Sequence, residues 1–307
     1  MKHYDLVIIG GGASGINCAI FAKLSGIDNV LVVEKEDSLG GALIKGDYNL
    51  SERSNFTGEL YRERKLGEYD NLNIDTYLNT TVLKIEDENI VLMTSKDRGI
   101  EKVKAGAIII ANGGKETGLN KLEVTGDRCS GILTIGMTEK ILNMGLIPGK
   151  EVIIYGTDNL YKIFNKLKKN NINIKGIVCE KLSDQILGLS KNLYLGYKLE
   201  EVIGKGRLEK IKISKNLNSE YVDCDTLILA KPMVCDGIIA LRSGLKINAD
   251  TMGVDVSDCF MTSKEGIFAC GNSIRIHNSM EELLEEARKT IENVRKYLGI
   301  NKKSIFE

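Results

Sequence analysis

Net charge is missing from this chain: 42 lysines and arginines stand against 42 aspartates and glutamates. That balance excludes the basic footprint of a nucleic-acid or anionic-membrane binder. Long apolar runs are missing too, none approaching the roughly 18 residues of a membrane-spanning helix. The N-terminal stretch does not read as a secretory leader, because Asp5 and a run of glycines interrupt it. Cysteine is present, but C-x-x-C is not: the seven cysteines (18, 129, 179, 224, 235, 259 and 270) are odd in number and scattered. They argue against a disulfide framework, a zinc site or a dithiol active centre, and the cytoplasm is the expected compartment. Proline occurs only at 148 and 232, which together with abundant isoleucine, lysine and asparagine reads as codon bias. The rest is ordinary: 43% hydrophobic and 27% charged residues over 307 positions, chain enough for about two domains.

The most informative stretch comes first. Val7-Ile8-Ile9 runs into Gly10-Gly11-Gly12-Ala13-Ser14-Gly15, and a second apolar run, Val30 to Val33, ends at Glu34. Glycines 10, 12 and 15 fit G-x-G-x-x-G between an expected strand (4–10) and an expected helix (13–25). The first glycine permits a sharp turn, the second lets backbone approach a pyrophosphate, and the third brings helix and strand close together. Glu34 follows at about the spacing at which a carboxylate accepts from a ribose. Gly12, Ala13 and Ser14 would open the helix, whose N-terminus suits an anion.

Further on, alternation in Thr76–Ile85 and Ile90–Thr94 predicts antiparallel strands. Ala107–Ala111 reads as a buried parallel strand stopping at Asn112-Gly113-Gly114. The stretch up to about 70, with Tyr61, Arg62 and Arg64, reads as polar and solvated, as does Lys45. After a linker near 117–130 the pattern restarts: strand 150–155, helix 160–169, strand 174–179, strand-like pieces at 193–199 and 208–214, and a buried strand 226–230. Gly266–Asn272 is a short strand into a turn, and a helix of about 280–298 follows, with Ser279 and Glu282 spaced as a capping box.

Three glycine elements in order (GGGASG at 10–15, ANGG at 111–114, GIFACGNS at 266–273) resemble the FAD-dependent pyridine nucleotide-disulfide oxidoreductase superfamily. The likeness is nearest to two-domain flavoproteins of the thioredoxin reductase type. Within those it is nearest to FAD-dependent subunits associated with glycerol-3-phosphate and amino-acid dehydrogenases. TGELYRER at 57–64, GKE at 114–116 and GILTIGMTEKIL at 131–142 belong to it. The resemblance implies an α/β fold of two Rossmann-like FAD/NAD(P)-binding domains, the second inserted into the first. FAD would occupy 1–116 with 245–307, and 117–244 would be the insertion. Carried over by motif, Gly10, Gly12, Ala13, Ser14 and Gly15 would hold the pyrophosphate. Glu34 would take the adenosine ribose with Lys35 beside the adenine, and Gly41 and Ala42 would pass the ribitol. Thr81 and Val82 would offer backbone to the adenine, and Ala111, Asn112 and Gly113 would form the second turn. Gly271 and Asn272 would meet the ribitol and diphosphate; the superfamily mostly has aspartate at 272, and the asparagine oxygen is expected still to accept a hydroxyl. Backbone N–H groups near Met280, at the positive end of the last helix, would face the flavin pyrimidine edge. His277 would neighbour it, although a lone histidine reads first as a loop residue.

The second nucleotide motif departs from the pattern. In one register Tyr155, Thr157 and Leu160 fill the three small positions; counting from Gly156, the second and third become Asp158 and Tyr161. A residue with a Cβ held at positive φ costs roughly 1–2 kcal/mol. At about 1.4 kcal/mol per tenfold, two such losses weaken dinucleotide binding on the order of 100-fold. Glu180 after the next strand still suits an NAD ribose, so NAD(P)H binding stays open. Without C-x-x-C a dithiol relay cannot operate. Cys18 and Cys270 read as small buried fillers, and Cys129 as a linker thiol. The expectation is a flavin oxidoreductase relaying electrons with a protein partner or dehydrogenase subunit. The alternatives are an ordinary NAD(P)H-dependent flavin reductase and a catalytically silent flavin-holding subunit; no metal is expected and no catalytic acid or base is named.

Overall fold

The computed structural model describes residues 1–45, 49–51, 54–181 and 192–300. The Lys45 side chain and residues 46–48 and 52–53 of the polar stretch lie outside what is described. The chain separates into two compact units, 1–115 with 234–307, and 116–233. The first unit thus resumes at Val234, earlier than the expected 245. The reason is burial: Ile239, Ala240 and Leu245 belong to its hydrophobic core, and the Ser243 hydroxyl accepts from the Ile85 N–H at 2.8 Å.

The first unit is built on a seven-stranded sheet. Asp75–Tyr77, Val30–Val33, Lys2–Ile9, Gly99–Ile110 and Ile267–Ala269 lie side by side and parallel. Ile90–Ser95 and Thr80–Glu86 continue it as an antiparallel meander. Side chains alternate across the strands. Leu6, Ile8, Ile109 and Phe268 face one core together with Ile16, Ile20, Ile291 and Val294 of two helices. Val7, Ile9, Ile108 and Ile110 face the other, with Val82, Val91 and Met93. The first helix, Ala13–Leu24, is buried almost all round because it is flanked by Gly58–Asp70 and by the last helix, Met280–Tyr297. The expected polar stretch therefore contains a helix, Gly58–Asp70, capped by Thr57 and burying only Gly58, Tyr61 and Tyr69.

The second unit repeats the theme. Ile132–Thr134, Thr226–Ala230, Glu151–Gly156, Asn173–Cys179 and Leu193–Leu195 form a parallel sheet, flanked by helices Ile135–Asn143 and Leu160–Lys169. A smaller sheet of Thr125–Gly126, Lys198–Ile203, Lys210–Lys215 and Asn218–Asp223 packs through Leu199, Val202, Ile211 and Ile213. Its last strand was not expected, since it exposes all but Val222. Among the described residues no helix is long and apolar enough to cross a membrane.

Candidate functional site

In the first unit the three glycine elements meet. The first strand ends at Gly10, whose φ of 107° turns it against the second element: a Cβ there would stand 2.5 Å from the Ala111 carbonyl oxygen. Gly12 is the N-cap of the first helix, with open space where a Cβ would be. No side chain caps that helix and its first turn holds no carboxylate, so unpaired backbone N–H groups at Ala13 and Ser14 form a ready anion seat. Gly41 closes over it, 3.1 Å from Gly12 Cα by its would-be Cβ, and Ala42 beside it is exposed. Arg62 of the neighbouring helix secures this loop, its Nε donating to the Leu39 carbonyl at 2.7 Å.

Glu34 is 6% exposed. Its Oε2 accepts from the Gly11 N–H at 2.6 Å and its Oε1 from the Glu36 N–H at 2.9 Å. The carboxylate therefore ties the second strand to the glycine turn, and keeps further lone pairs for a hydroxyl. Lys35 is exposed beside it. Thr80 N–H donates to the Glu34 carbonyl at 2.9 Å, bringing Val82 near the end of the second strand. In the second element, Asn112 Nδ2 donates to the Asp236 carbonyl at 2.8 Å, while Asn112 Oδ1 is buried without a partner. Gly113 N–H donates to Ser273 Oγ at 3.0 Å, and the space above Gly113 is open.

The third element joins both. A Cβ on Gly271 would strike the Ser14 hydroxyl, and the Gly271 N–H donates to Glu286 Oε1 at 2.5 Å. Asn272 differs from expectation. Its Oδ1 accepts from the His277 N–H at 3.0 Å and lies 3.0 Å from His277 Nδ1, so that oxygen is engaged within the chain. Met280 opens the last helix, but Ser279 Oγ caps it by accepting from the Glu282 N–H, and Glu281 and Glu282 occupy its first turn. Its N-terminus is thus offset by side chains where that of the first helix is bare. Glu286 and Ser273 were missed from sequence. A carboxylate on the apolar face of the last helix, next to Ala287 and one turn before Thr290 and Ile291, was the available signal for Glu286. The uncapped N-terminus and the open faces of Gly12 and Gly113 fit a dinucleotide pyrophosphate running between the first two elements, while the unpaired Asn112 oxygen fits a donor such as a hydroxyl of the same ligand.

The second unit has the same turn in another state. Gly156 has φ of 109°, and a Cβ on it would strike the Ala230 carbonyl, the relation of Gly10 to Ala111. The structure thus selects the register counted from Gly156. Asp158 then stands where Gly12 stands, Tyr161 where Gly15 stands, and Glu180 where Glu34 stands. The Asp158 N–H donates to the Ala230 carbonyl at 2.9 Å, and burial, ahead of other causes, pushes its carboxyl up. The Tyr155 hydroxyl donates to Glu180 Oε1 at 3.0 Å. Lys231 Nζ sits 3.1 Å from the same oxygen and 3.7 Å from the Tyr155 ring centre. Burial opposes ionisation of Glu180, but hydrogen bonds from Lys231 and Tyr155 hold its carboxyl below the usual range. Tyr155 and Lys231 therefore already engage the carboxylate that stands where Glu34 stands. The seven cysteines are free, five of them buried, and no cluster able to hold a metal occurs among the described residues.

A parallel sheet with a glycine turn at its first strand, repeated in a second unit, defines a dinucleotide-binding flavoprotein architecture. The chain belongs to the pyridine nucleotide-disulphide oxidoreductase family, whose signature matches residues 4–157, and it is an FAD-dependent oxidoreductase. It is 28% identical over 295 residues to the 34.2 kDa protein in the rubredoxin operon of Clostridium pasteurianum, covering 88% of this chain and 89% of that one. It is 24% identical over 319 residues to ferredoxin–NADP reductase of Streptococcus pneumoniae, covering 98% and 96%. A 31% match to ferredoxin–NADP reductase of Mycoplasmoides gallisepticum spans only 37% of each chain. In fold it is similar to T. acidophilum thioredoxin reductase, with a TM-score of 0.73 at 16% identity over 96% of this chain and 99% of that one. It is also similar to L-proline dehydrogenase from P. horikoshii, with a TM-score of 0.72 at 18% identity, covering 99% of this chain and 57% of that one.

Proposed function

We propose that the first unit holds FAD and that its electrons are exchanged with a protein partner, not with a dithiol and not through a tight nicotinamide site in the second unit. Gly10, Gly12, Ala13, Ser14 and Gly15 hold the pyrophosphate at the bare helix N-terminus. Glu34 takes the adenosine ribose, with Lys35 and Val82 at the adenine. Gly41, Ala42, Ala111, Asn112 and Gly113 line the course of the chain between the two nucleotides. Gly271, Asn272 and Met280 meet the ribitol and flavin end. When bound, FAD supplies hydride or single-electron chemistry; the protein supplies orientation and electrostatics.

The observation that carries the partner reading is the Tyr155–Glu180–Lys231 cluster with Asp158 at the second turn. A bound nicotinamide dinucleotide would have to displace Lys231 from Glu180 and bring phosphate up to a carboxylate. The relatives named ferredoxin–NADP reductase support a protein partner of the small electron-carrier type. Those names also support the second reading, ordinary reduction by NADPH or NADH, which Glu180 in the place of Glu34 favours. Anaerobic titration of the yellow protein with NADH and NADPH separates the two. Slow or incomplete bleaching, made fast by a reduced protein carrier, is expected; rapid stoichiometric bleaching by either nucleotide alone overturns the partner reading.

A further inference from the structure

Behind the third glycine element lies a hydrogen-bonded unit that the electron-transfer reading does not use. The His277 side chain is fully buried, and Glu286 beside it is 6% exposed. Glu286 Oε2 lies 2.9 Å from His277 Nε2, while its Oε1 accepts from the Gly271 N–H. On the far side of the ring, Nδ1 lies 3.0 Å from Asn272 Oδ1.

The orientation of the Asn272 amide is fixed by a third contact. The His277 backbone N–H also points at Asn272 Oδ1, at 3.0 Å. A backbone N–H can only donate, so the atom it meets is the amide oxygen and not the amide nitrogen. Nδ1 therefore faces an acceptor on the Asn272 side, and the ring is held from the other side by Glu286 through Nε2. Other charged groups on this cluster are Arg275, 3.5 Å from Glu286 and 3.8 Å from Glu282. Two buried thiols, Cys18 and Cys270, belong to the core against which the last helix packs.

We propose that Glu286 and His277 are positioning residues that pin the Asn272 oxygen, so that Asn272 presents its Nδ2 hydrogens, and not an acceptor, to the cofactor. This reverses the polarity expected from sequence. The amide then donates to a ribitol or phosphate oxygen of FAD. It also accounts for a neutral residue here. An aspartate, although the superfamily mostly carries it at this position, would here have no hydrogen to donate: one of its oxygens would be held by the His277 N–H and the other would face the cofactor as an acceptor.

The decisive variant is Asn272→Asp, with the dissociation constant for FAD read from released flavin fluorescence and the fold from circular dichroism. A lost donor to a charged group and an added carboxylate are expected to weaken FAD about 10- to 100-fold. Affinity should partly recover on going from about pH 7 to about pH 4, towards the ordinary aspartate value of about 3.9, because a protonated carboxyl can donate again. A merely structural role for Asn272 would give no such recovery. Should this variant not fold, Asn272→Ser removes the amide donors without adding charge, and about a tenfold weakening is expected. The ring is tested separately, with or without flavin, by nitrogen-15 NMR of labelled histidine. Only His3 and His277 are present, so the buried signal is assigned by elimination, and a hydrogen on Nδ1, the nitrogen that faces the Asn272 oxygen, is expected. Affinity in Asn272→Asp equal to the parent at both pH values, or a His277 ring bare at Nδ1, overturns the proposal.

Discussion

The two units of this chain build one turn twice and fill it differently. In each, a buried parallel strand ends at a glycine with φ near 108° (107° at Gly10, 109° at Gly156) pressed on the carbonyl that ends a neighbouring strand. In each, a glutamate follows the next strand at the same spacing. What differs is the space between those fixed points. The first turn offers Gly12 and a helix N-terminus that nothing caps. The second offers Asp158, a left-handed Asn159 at φ 49°, and a glutamate already held by a tyrosine and a lysine. Architecture is therefore preserved by the strand end and its glycine, whereas binding depends on residues that the fold itself does not require.

The comparison breaks most sharply if the first turn is given the second turn's residue. Gly12→Asp has room for its side chain, so the fold should persist, but it sets a carboxylate against the pyrophosphate. Juxtaposed like charges cost several kcal/mol, so FAD affinity should fall by at least about two orders of magnitude. Colourless, cooperatively melting protein is the expected result; a normally yellow Gly12→Asp would show that the pyrophosphate lies elsewhere. The converse change is smaller. Asp158→Gly combined with Lys231→Ala reopens the second turn and frees Glu180. NADH affinity, measured by calorimetry, should rise by about tenfold. No gain would mean that Tyr161, in the place of Gly15, is the true obstruction.

This asymmetry explains what the sequence could show and what it could not. The first turn was legible because all its determinants are local: an apolar strand, three glycines, a helical periodicity and a carboxylate at a set distance. The second was ambiguous between registers starting at Tyr155 and at Gly156. Only contact with the Ala230 carbonyl, seventy-odd residues away, decides between them. The helix Gly58–Asp70 was hidden for a related reason, since it buries just three residues and has no apolar stripe. Asn272 was picked out by its motif, but the engagement of its oxygen within the chain was not legible. Its oxygen is taken by His277, and the pose of His277 depends on Glu286 from a separate helix. The return of the chain at Val234 was displaced because Ile239 and Ala240 form only a short helix whose burial is decided by tertiary packing.

The last expected effect is on stability and arises within the second turn, where two carboxyls are shifted in opposite directions. Asp158 is raised above its ordinary 3.8, chiefly by burial. A raised carboxyl favours the folded state below its unfolded value and loses that contribution as pH rises through the folded value. At neutral pH the ionised Asp158 is thus a small liability, and Asp158→Asn should raise the melting temperature at pH 7, with the gain fading below about pH 4. Glu180 has the opposite sign: against partial desolvation, Lys231 and Tyr155 hold it below 4.5. Its contribution is present above the unfolded value and is lost as pH falls through the folded one. Glu180→Gln should therefore lower the melting temperature at pH 7 and converge on the parent in acid. Because the Glu180 side chain is 41% exposed, solvent screening keeps this effect small. Melting curves of the two variants that move in the same direction at pH 7 would show that Asp158 and Glu180 do not play the opposed roles the turn geometry gives them.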